Sequence, residues 1–328
     1  MDRNYRVPLS VNIRLTHKCA NRCVYCDYDR NKPDALTTKV LDNIFGEIWK
    51  LGGRRLNFTG GEPLLRDDFN EIVKLAKNRG FFLSIATSGT IAEKRLDGLK
   101  MCDRVMLSFD GPHEVRAALC GERAAEESEN AVRLFVEHGI PFWTTSVLAR
   151  PVMPHVDWLI EHAEKNGSQA NFVMMYIGES GGFRTHPVES DDIKNLTPSA
   201  EDYRNVLDRI IALKKNGAPV GSSMPYLKEC REWHEHPACR SVKQSRRYGK
   251  CIAVRASCEL MADGRLYSCD WAFADTPGVS ALDNGFTTAF KALPIQTACQ
   301  SCVLSCKLEA NLLFCLNPAA VFNWARKI

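Results

Sequence analysis

Residues 10–30 read SVNIRLTHKCANRCVYCDYDR, a short apolar strip followed by Cys19, Cys23 and Cys26 inside eight residues. The alternation over 10–15 predicts a β-strand, which puts the three thiols on the loop at its C-terminal end. Soft thiolates select iron–sulfur clusters or zinc over hard cations. A cubane normally takes four such ligands, so three in one tight loop leave a fourth iron without a near protein donor. Spacing alone leaves two alternatives open, since a distant cysteine can complete either a structural zinc site or an ordinary electron-transfer cluster.

Outward from that loop the chain alternates β-rich runs with amphipathic segments. Strands are expected at 10–15, 55–58, 81–87, 104–109, 141–148 and 171–177. Helices are expected at 38–50, 67–78, 91–99, 124–138, 155–165 and 199–215. Six β-then-α units imply a parallel sheet with right-handed crossovers. The polar or glycine-rich stretches CANRC, TGGEP, SGT, DGP and GESGG each follow a strand. A barrel gathers such loops on one rim, and a doubly wound sheet also puts them at strand C-termini.

Composition narrows the classes. With 328 residues, 45% hydrophobic and 25% charged, the chain reads as an ordinary globular protein able to bury a large core. A net charge of +4 is too small to argue for nucleic acid or another polyanion. The N-terminus has no signal-peptide pattern, and no apolar run reaches the roughly 20 residues of a membrane span, so a cytoplasmic location is the default. Fourteen cysteines in a chain of this length point to metal or cluster ligation, not a disulfide scaffold. Cys102 and Cys120 read as buried inert thiols.

CANRCVYC (19–26), with Tyr25 in its aromatic position, and FTGGEPLL (58–65) after the second strand together resemble the radical S-adenosylmethionine superfamily. The resemblance covers about residues 8–215 and implies an α/β fold, a partial (β/α)6 TIM-type barrel. It implies one [4Fe-4S] cluster on Cys19, Cys23 and Cys26, whose free iron chelates the amino and carboxylate groups of S-adenosylmethionine. A flavodoxin- or ferredoxin-like protein is the implied electron donor. Gly60 and Gly61 permit close backbone approach, Pro63 restricts the turn, and Glu62 either supports the substrate ammonium or ties down its own loop. Tyr25 is expected against the adenine or as a shield for the cluster. Thr87 and Ser88 are expected near the methionine carboxylate or ribose, with turn capping as the plain alternative. Ser108 and Asp110 are candidates for ribose or substrate contact, and Thr145 and Ser146 are weaker ones. His113 is a candidate for the upper rim, while His17 is expected to shape the cysteine loop. No nucleophile elbow, dinucleotide or phosphate-loop pattern is present.

After Gly217 the texture turns polar and irregular, and Asp263-Gly264 inside CELMADGRLYSC (258–269) signals a hairpin. The expected division is 1–220 for the barrel and 221–328 for a small cysteine-rich α+β module. This module resembles the SPASM or Twitch extensions that bind auxiliary clusters. Cys251, Cys269, Cys299 and Cys302 are the expected ligands of one auxiliary [4Fe-4S] cluster. Cys258, Cys306 and Cys315 are alternates, or members of a second cluster, and zinc is the nonredox alternative. The run C-x2-C-x3-C departs from the longer C-x2-C-x5-C of full SPASM modules, which weakens the two-cluster version. Cys230 and Cys239 are candidate acids or ligands, and the basic run 240–250 is a docking strip or a solvated linker.

The expectation for function is hydrogen abstraction from a small molecule, a sugar or nucleoside-like intermediate, because no leader-recognition domain is visible. A precursor peptide is the enzymatic alternative. A non-enzymatic electron-transfer protein is the alternative of another class.

Overall fold

The computed structural model describes residues 6–26, 31–175, 191–234, 238, 240–245, 251–253, 255–269, 277–295 and 299–325. Six strands run parallel in sequence order: β1 (Ser10–Arg14), β2 (Arg55–Thr59), β3 (Phe82–Thr87), β4 (Arg104–Ser108), β5 (Phe142–Leu148) and β6 (Gln169–Met174). Between them lie α1 (Thr38–Lys50), α2 (Phe69–Asn78), α3 (Leu96–Met101), α4 (His113–Cys120), α5 (Glu122–Glu137) and α6 (Val156–Lys165). Then follow α7 (Asp191–Leu196), α8 (Ala200–Lys215) and α9 (Met224–Glu232). The remainder contributes β7 (Arg240–Ser241), β8 (Ser257–Leu260), β9 (Arg265–Tyr267), β10 (Val279–Ser280), α10 (Ala281–Ala292), β11 (Ser301–Cys302), α11 (Ser305–Phe314) and α12 (Pro318–Ala325).

Strand periodicity separates two environments. Val11, Ile13, Leu56, Phe58, Leu83, Ile85, Val105 and Leu107 are fully buried. They pack on the apolar stripes of helices such as α1, which offers Leu41, Ile44, Phe45 and Ile48. The Phe45 and Phe58 rings lie 5.9 Å apart. The alternate residues face the concave side, and many of them are polar. There Ser84 Oγ donates to Asn57 Oδ1 at 2.9 Å, and Ser222 Oγ donates to Asn171 Oδ1 at 2.8 Å. The outer edge of β6 in this partial (β/α)6 barrel carries a parallel bridge from Ala170 to Val220, and no described strand links that edge back to the opposite one.

Toward that opposite edge the sheet continues through the Asp263-Gly264 hairpin and ends at β10. Strands β8 and β9 pair antiparallel as their sequence predicts, with Gly264 at φ 82°. In addition, β8 pairs parallel to β1, so the cysteine-rich region extends the barrel's own sheet and shares its core. On β8, Cys258 lies beside Val11 on the apolar face, and Glu259 lies beside Asn12 on the polar face. Asn12 Nδ2 donates to Glu259 Oε1 at 2.6 Å, and Lys307 Nζ donates to the same oxygen at 2.5 Å. Among the described residues no helix is long and apolar enough to cross a membrane.

Candidate active site

The cysteine loop leaves β1 at the strands' C-terminal rim. Asp34 secures its entry by accepting from Thr16 Oγ1 at 2.5 Å and from His17 N at 2.7 Å. His17 is buried, and that burial lowers its pKa. The glycine pair after β2 then closes onto the same segment. Gly61 N donates to Thr16 O at 2.8 Å, and Glu62 N donates to Lys18 O at 2.7 Å. A Cβ on Gly60 (φ 142°) would stand 2.5 Å from Thr16 O, and one on Gly61 would collide with the Lys18 carbonyl. Only glycines allow these two loops to touch.

Glu62 is 1% exposed and faces four donors. Its Oε1 accepts from Thr87 Oγ1 at 2.6 Å and Leu64 N at 3.1 Å, and its Oε2 accepts from Ser88 N at 2.8 Å and Ser88 Oγ at 2.6 Å. Burial raises its pKa, and these hydrogen bonds work against that rise. Pro63 opens the short 3-10 turn Pro63–Leu65 that presents Leu64 N. The second of the two expectations for Glu62 therefore describes this structure, in which it ties the third strand's exit to the glycine loop. Thr87 and Ser88 spend their hydroxyl protons on that carboxylate.

Asp110 requires a correction. Asp110 is 0% exposed; its Oδ1 accepts from Val147 N at 2.8 Å, and its Oδ2 accepts from Arg116 Nη1 at 2.9 Å and from the Tyr25 hydroxyl. Arg116, 1% exposed, also donates from Nε to Ser128 Oγ at 2.9 Å. A carboxylate so engaged anchors the cysteine loop to β5 and α4 and is not turned toward a ribose. Tyr25 is buried with it. Ser108 stays partly exposed at the end of β4. Ser146 Oγ donates to Phe109 O at 2.5 Å, whereas Thr145 Oγ1 has no hydrogen-bond partner among the described residues.

Cys120 also departs from expectation. It reaches from the last turn of α4 into the cysteine loop, where its sulfur lies against that of Cys23, 97 residues away in sequence. Cys19 and Cys26 are both partly exposed on the same loop. Three thiols on one loop, held by the glycine pair after β2, suit a cluster bound by three thiolates. Arg116 and Cys120 were invisible in the sequence because only their placement on α4, four residues apart, brings them to Asp110 and Cys23.

Other candidates are excluded by their surroundings. His113 is held by Glu122 at 2.5 Å and Glu129 at 3.3 Å on the α4–α5 surface, and the hydrogen bond to Glu122 raises its pKa. Cys230 is fully buried, and burial pushes its thiol far above the usual range. Cys258 belongs to the apolar core and is raised by the same burial. Cys239 and residues 246–250 of the basic run lie outside the described residues.

In the C-terminal module, the buried Cys302 thiol is raised well above its ordinary value by burial, and then by Cys251, Cys299 and Cys269. Cys251, Cys299 and Cys269 therefore stand within electrostatic reach of Cys302, and Cys258 is not among them. No three ligand-type side chains among the described residues converge on a single ion. Cys306 and Cys315 are exposed.

The chain matches the radical SAM superfamily profile over residues 13–163. It is 30% identical over 169 residues to the PqqA peptide cyclase of Granulibacter bethesdensis, an alignment covering 49% of this chain and 45% of that protein. The chain thus aligns with slightly under half the length of that relative. Among solved structures, SuiB of Streptococcus suis bound to S-adenosylmethionine superposes with a TM-score of 0.68 at 16% identity, covering 87% of this chain and 66% of SuiB. The anSMEcpe enzyme with bound AdoMet and the Cp18Cys peptide gives 0.65 at 19% identity, covering 87% and 80%. These two likenesses concern the fold. The profile match spans the strands and loops that build the site described above, and over residues 13–163 the chain is similar to the radical S-adenosylmethionine superfamily.

Proposed function

We propose that this chain is a radical S-adenosylmethionine enzyme that acts on a peptide. The observation that carries the chemistry is the contact of the glycine loop with residues 16–18, which brings the cysteine loop and the Glu62 network to one rim. When bound there, a [4Fe-4S] cluster supplies the electron that cleaves S-adenosylmethionine, and hydrogen is then removed from an unreactive carbon. Cys19, Cys23 and Cys26 hold that cluster. Gly60 and Gly61 bring backbone close to the cofactor, and Glu62 keeps their loop in register with β3. The buried Asp110–Arg116 pair holds Tyr25, and with it the loop, against the barrel wall and excludes water from behind the thiols. Cys251, Cys269, Cys299 and Cys302 hold an auxiliary cluster in the module from about residue 221, and a flavodoxin- or ferredoxin-like protein delivers the electron.

The peptide replaces the small metabolite expected from sequence. The named curated relative is a peptide cyclase, and its likeness to this chain supports the same substrate class. A peptide substrate is read as lying across the partial barrel. Its polar concave face, with Asn57, Thr145 and Asn171 partly exposed, offers partners to a peptide backbone that needs a donor and an acceptor satisfied at each residue.

The test is anaerobic turnover with reduced flavodoxin, using peptides encoded beside the gene and carrying deuterium. Deuterium in 5′-deoxyadenosine, abolished by a triple Cys19, Cys23 and Cys26 to Ala variant, is the expected result. Unchanged cofactor cleavage by that variant would sink the radical assignment. Deuterium arriving only from a labelled metabolite would sink the peptide.

A further inference from the structure

We propose that Ser257 and Asn311 donate hydrogen bonds to sulfurs of the auxiliary cluster and so raise its reduction potential. The proposal rests on the reading of Cys251, Cys269, Cys299 and Cys302 as that cluster's ligands. Ser257 is 4% exposed and Asn311 is 0% exposed. Neither Ser257 Oγ nor Asn311 Nδ2 has a hydrogen-bond partner among the described residues. An unpaired donor is costly to bury, so two of them beside one set of thiols call for an acceptor there.

Both groups flank the turn that begins at Cys251. Ile252 O accepts from Arg255 N at 2.9 Å and from Ala256 N at 3.0 Å, which doubles the chain back so that Ala253 bridges Ser257 at the start of β8. The partner strand β9 runs down beside β8, with Glu259 opposite Tyr267, and leads two residues on to Cys269. Cys251 and Cys269 are thus both brought to the end of β8 that Ser257 opens. Because successive strand residues alternate, Ser257 lies on the face opposite to Cys258 and the apolar core. Asn311 arrives from the other side. It sits one turn after Lys307 on α11, on the helix face from which Lys307 Nζ reaches Glu259. Its Oδ1 accepts from Ile252 N at 2.9 Å, which fixes the amide's orientation and leaves Nδ2 as the spare donor. Ala253 N already points at Cys251 Sγ from 3.5 Å. Reduction increases the negative charge carried by such sulfurs, so donors aimed at them favour the reduced form.

The test uses the full chain with Cys19, Cys23 and Cys26 changed to Ala, so that only the auxiliary site is read. Loaded anaerobically with ferrous iron and sulfide, this parent should hold about four irons and give the EPR signal of a reduced cluster. Ser257→Ala, and Asn311→Asp, which keeps the acceptor for Ile252 N, should each retain the iron. Each should also shift the reduction equilibrium at least about tenfold toward the oxidised form, a fall of about 59 mV for one electron. Ser257→Thr, which keeps the hydroxyl, and Cys258→Ala, on the other face of β8, should leave the midpoint in place. Pulsed EPR of the parent in D2O should show exchangeable deuterons coupled to the cluster, and Ser257→Ala should weaken that coupling. Unchanged midpoints in Ser257→Ala and Asn311→Asp overturn the proposal, and so does a parent without deuteron coupling, a result that stands even where a variant fails to fold. Zinc or no metal in the parent overturns the auxiliary-cluster reading and the proposal with it. Iron held by wild type but not by the parent then reports the N-terminal site separately.

Discussion

Gly61→Ala tests the contact on which the site is built. The new Cβ would press on the Lys18 carbonyl oxygen, 2.6 Å from its carbon and 2.7 Å from His17 O. All of these are backbone atoms of the cysteine loop, so no side chain can swing away to relieve the clash. Overpacking of this kind costs about 1–3 kcal/mol. Separating the loops also loses the Gly61 N–Thr16 O and Glu62 N–Lys18 O hydrogen bonds, at about 1 kcal/mol each. The sum is about 3–5 kcal/mol, a large part of the roughly 5–15 kcal/mol that typically holds a domain folded. With a urea slope near 3 kcal/mol/M, the unfolding midpoint should fall by about 1 M or more. Iron bound at the N-terminal site after reduction should fall as well. Gly46→Ala is the matched control, since Gly46 sits inside α1 with nothing within 4 Å of its missing Cβ. That change should add about 1 kcal/mol of stability through helix propensity. A Gly61→Ala protein that unfolds within about 1 kcal/mol of wild type and keeps its full N-terminal iron would refute the reasoning, at the threshold where a single contact is resolved.

Other consequences are open to measurement. Arg116→Met leaves Asp110 buried without its cation and should cost about 3–5 kcal/mol in urea unfolding, with Asp110→Asn in the same chain restoring part of the loss. Cys302→Ala should remove the auxiliary cluster's iron, whereas Cys258→Ala should keep it, and analysis of iron and sulfide decides between them. For Asp68, burial favours the neutral acid, but hydrogen bonds from Arg66 and Thr38 and the Arg66 charge outweigh it and lower the pKa. Its stabilising contribution is therefore present above the unfolded value near 3.9 and is lost as pH falls through the lower folded value. The stability gap between wild type and Asp68→Asn should be full at pH 6 and shrink below about pH 4, and a gap independent of pH would contradict that assignment.

Local chemistry made much of this protein readable from its chain. Helix α1 falls on the expected residues 38–50 because its apolar spacing and the Thr37 cap act within a few turns. The six parallel strands follow from alternation, and the two glycines after β2 announce a place where backbones meet. The extra helix α4 was missed, since its eight residues carry only a modest apolar stripe between Pro112 and Gly121. The hairpin was legible from Asp263-Gly264, but its parallel pairing with β1 was not, because strand partners far apart in sequence are chosen by edge availability and shared core.

Residue types and spacing established the thiolate loop, the glycine loop and a second set of cysteines, since those are properties of neighbours along the backbone. The folded molecule settled how the side chains are spent. Glu62 takes the protons of Thr87 and Ser88, Asp110 is claimed by Arg116 and Tyr25, Cys23 meets Cys120, and the pleat of β8 turns Cys258 into the core. Each outcome depends on which groups a buried charge or sulfur finds when water is excluded, and that is fixed by the packing of distant elements, which no local pattern encodes.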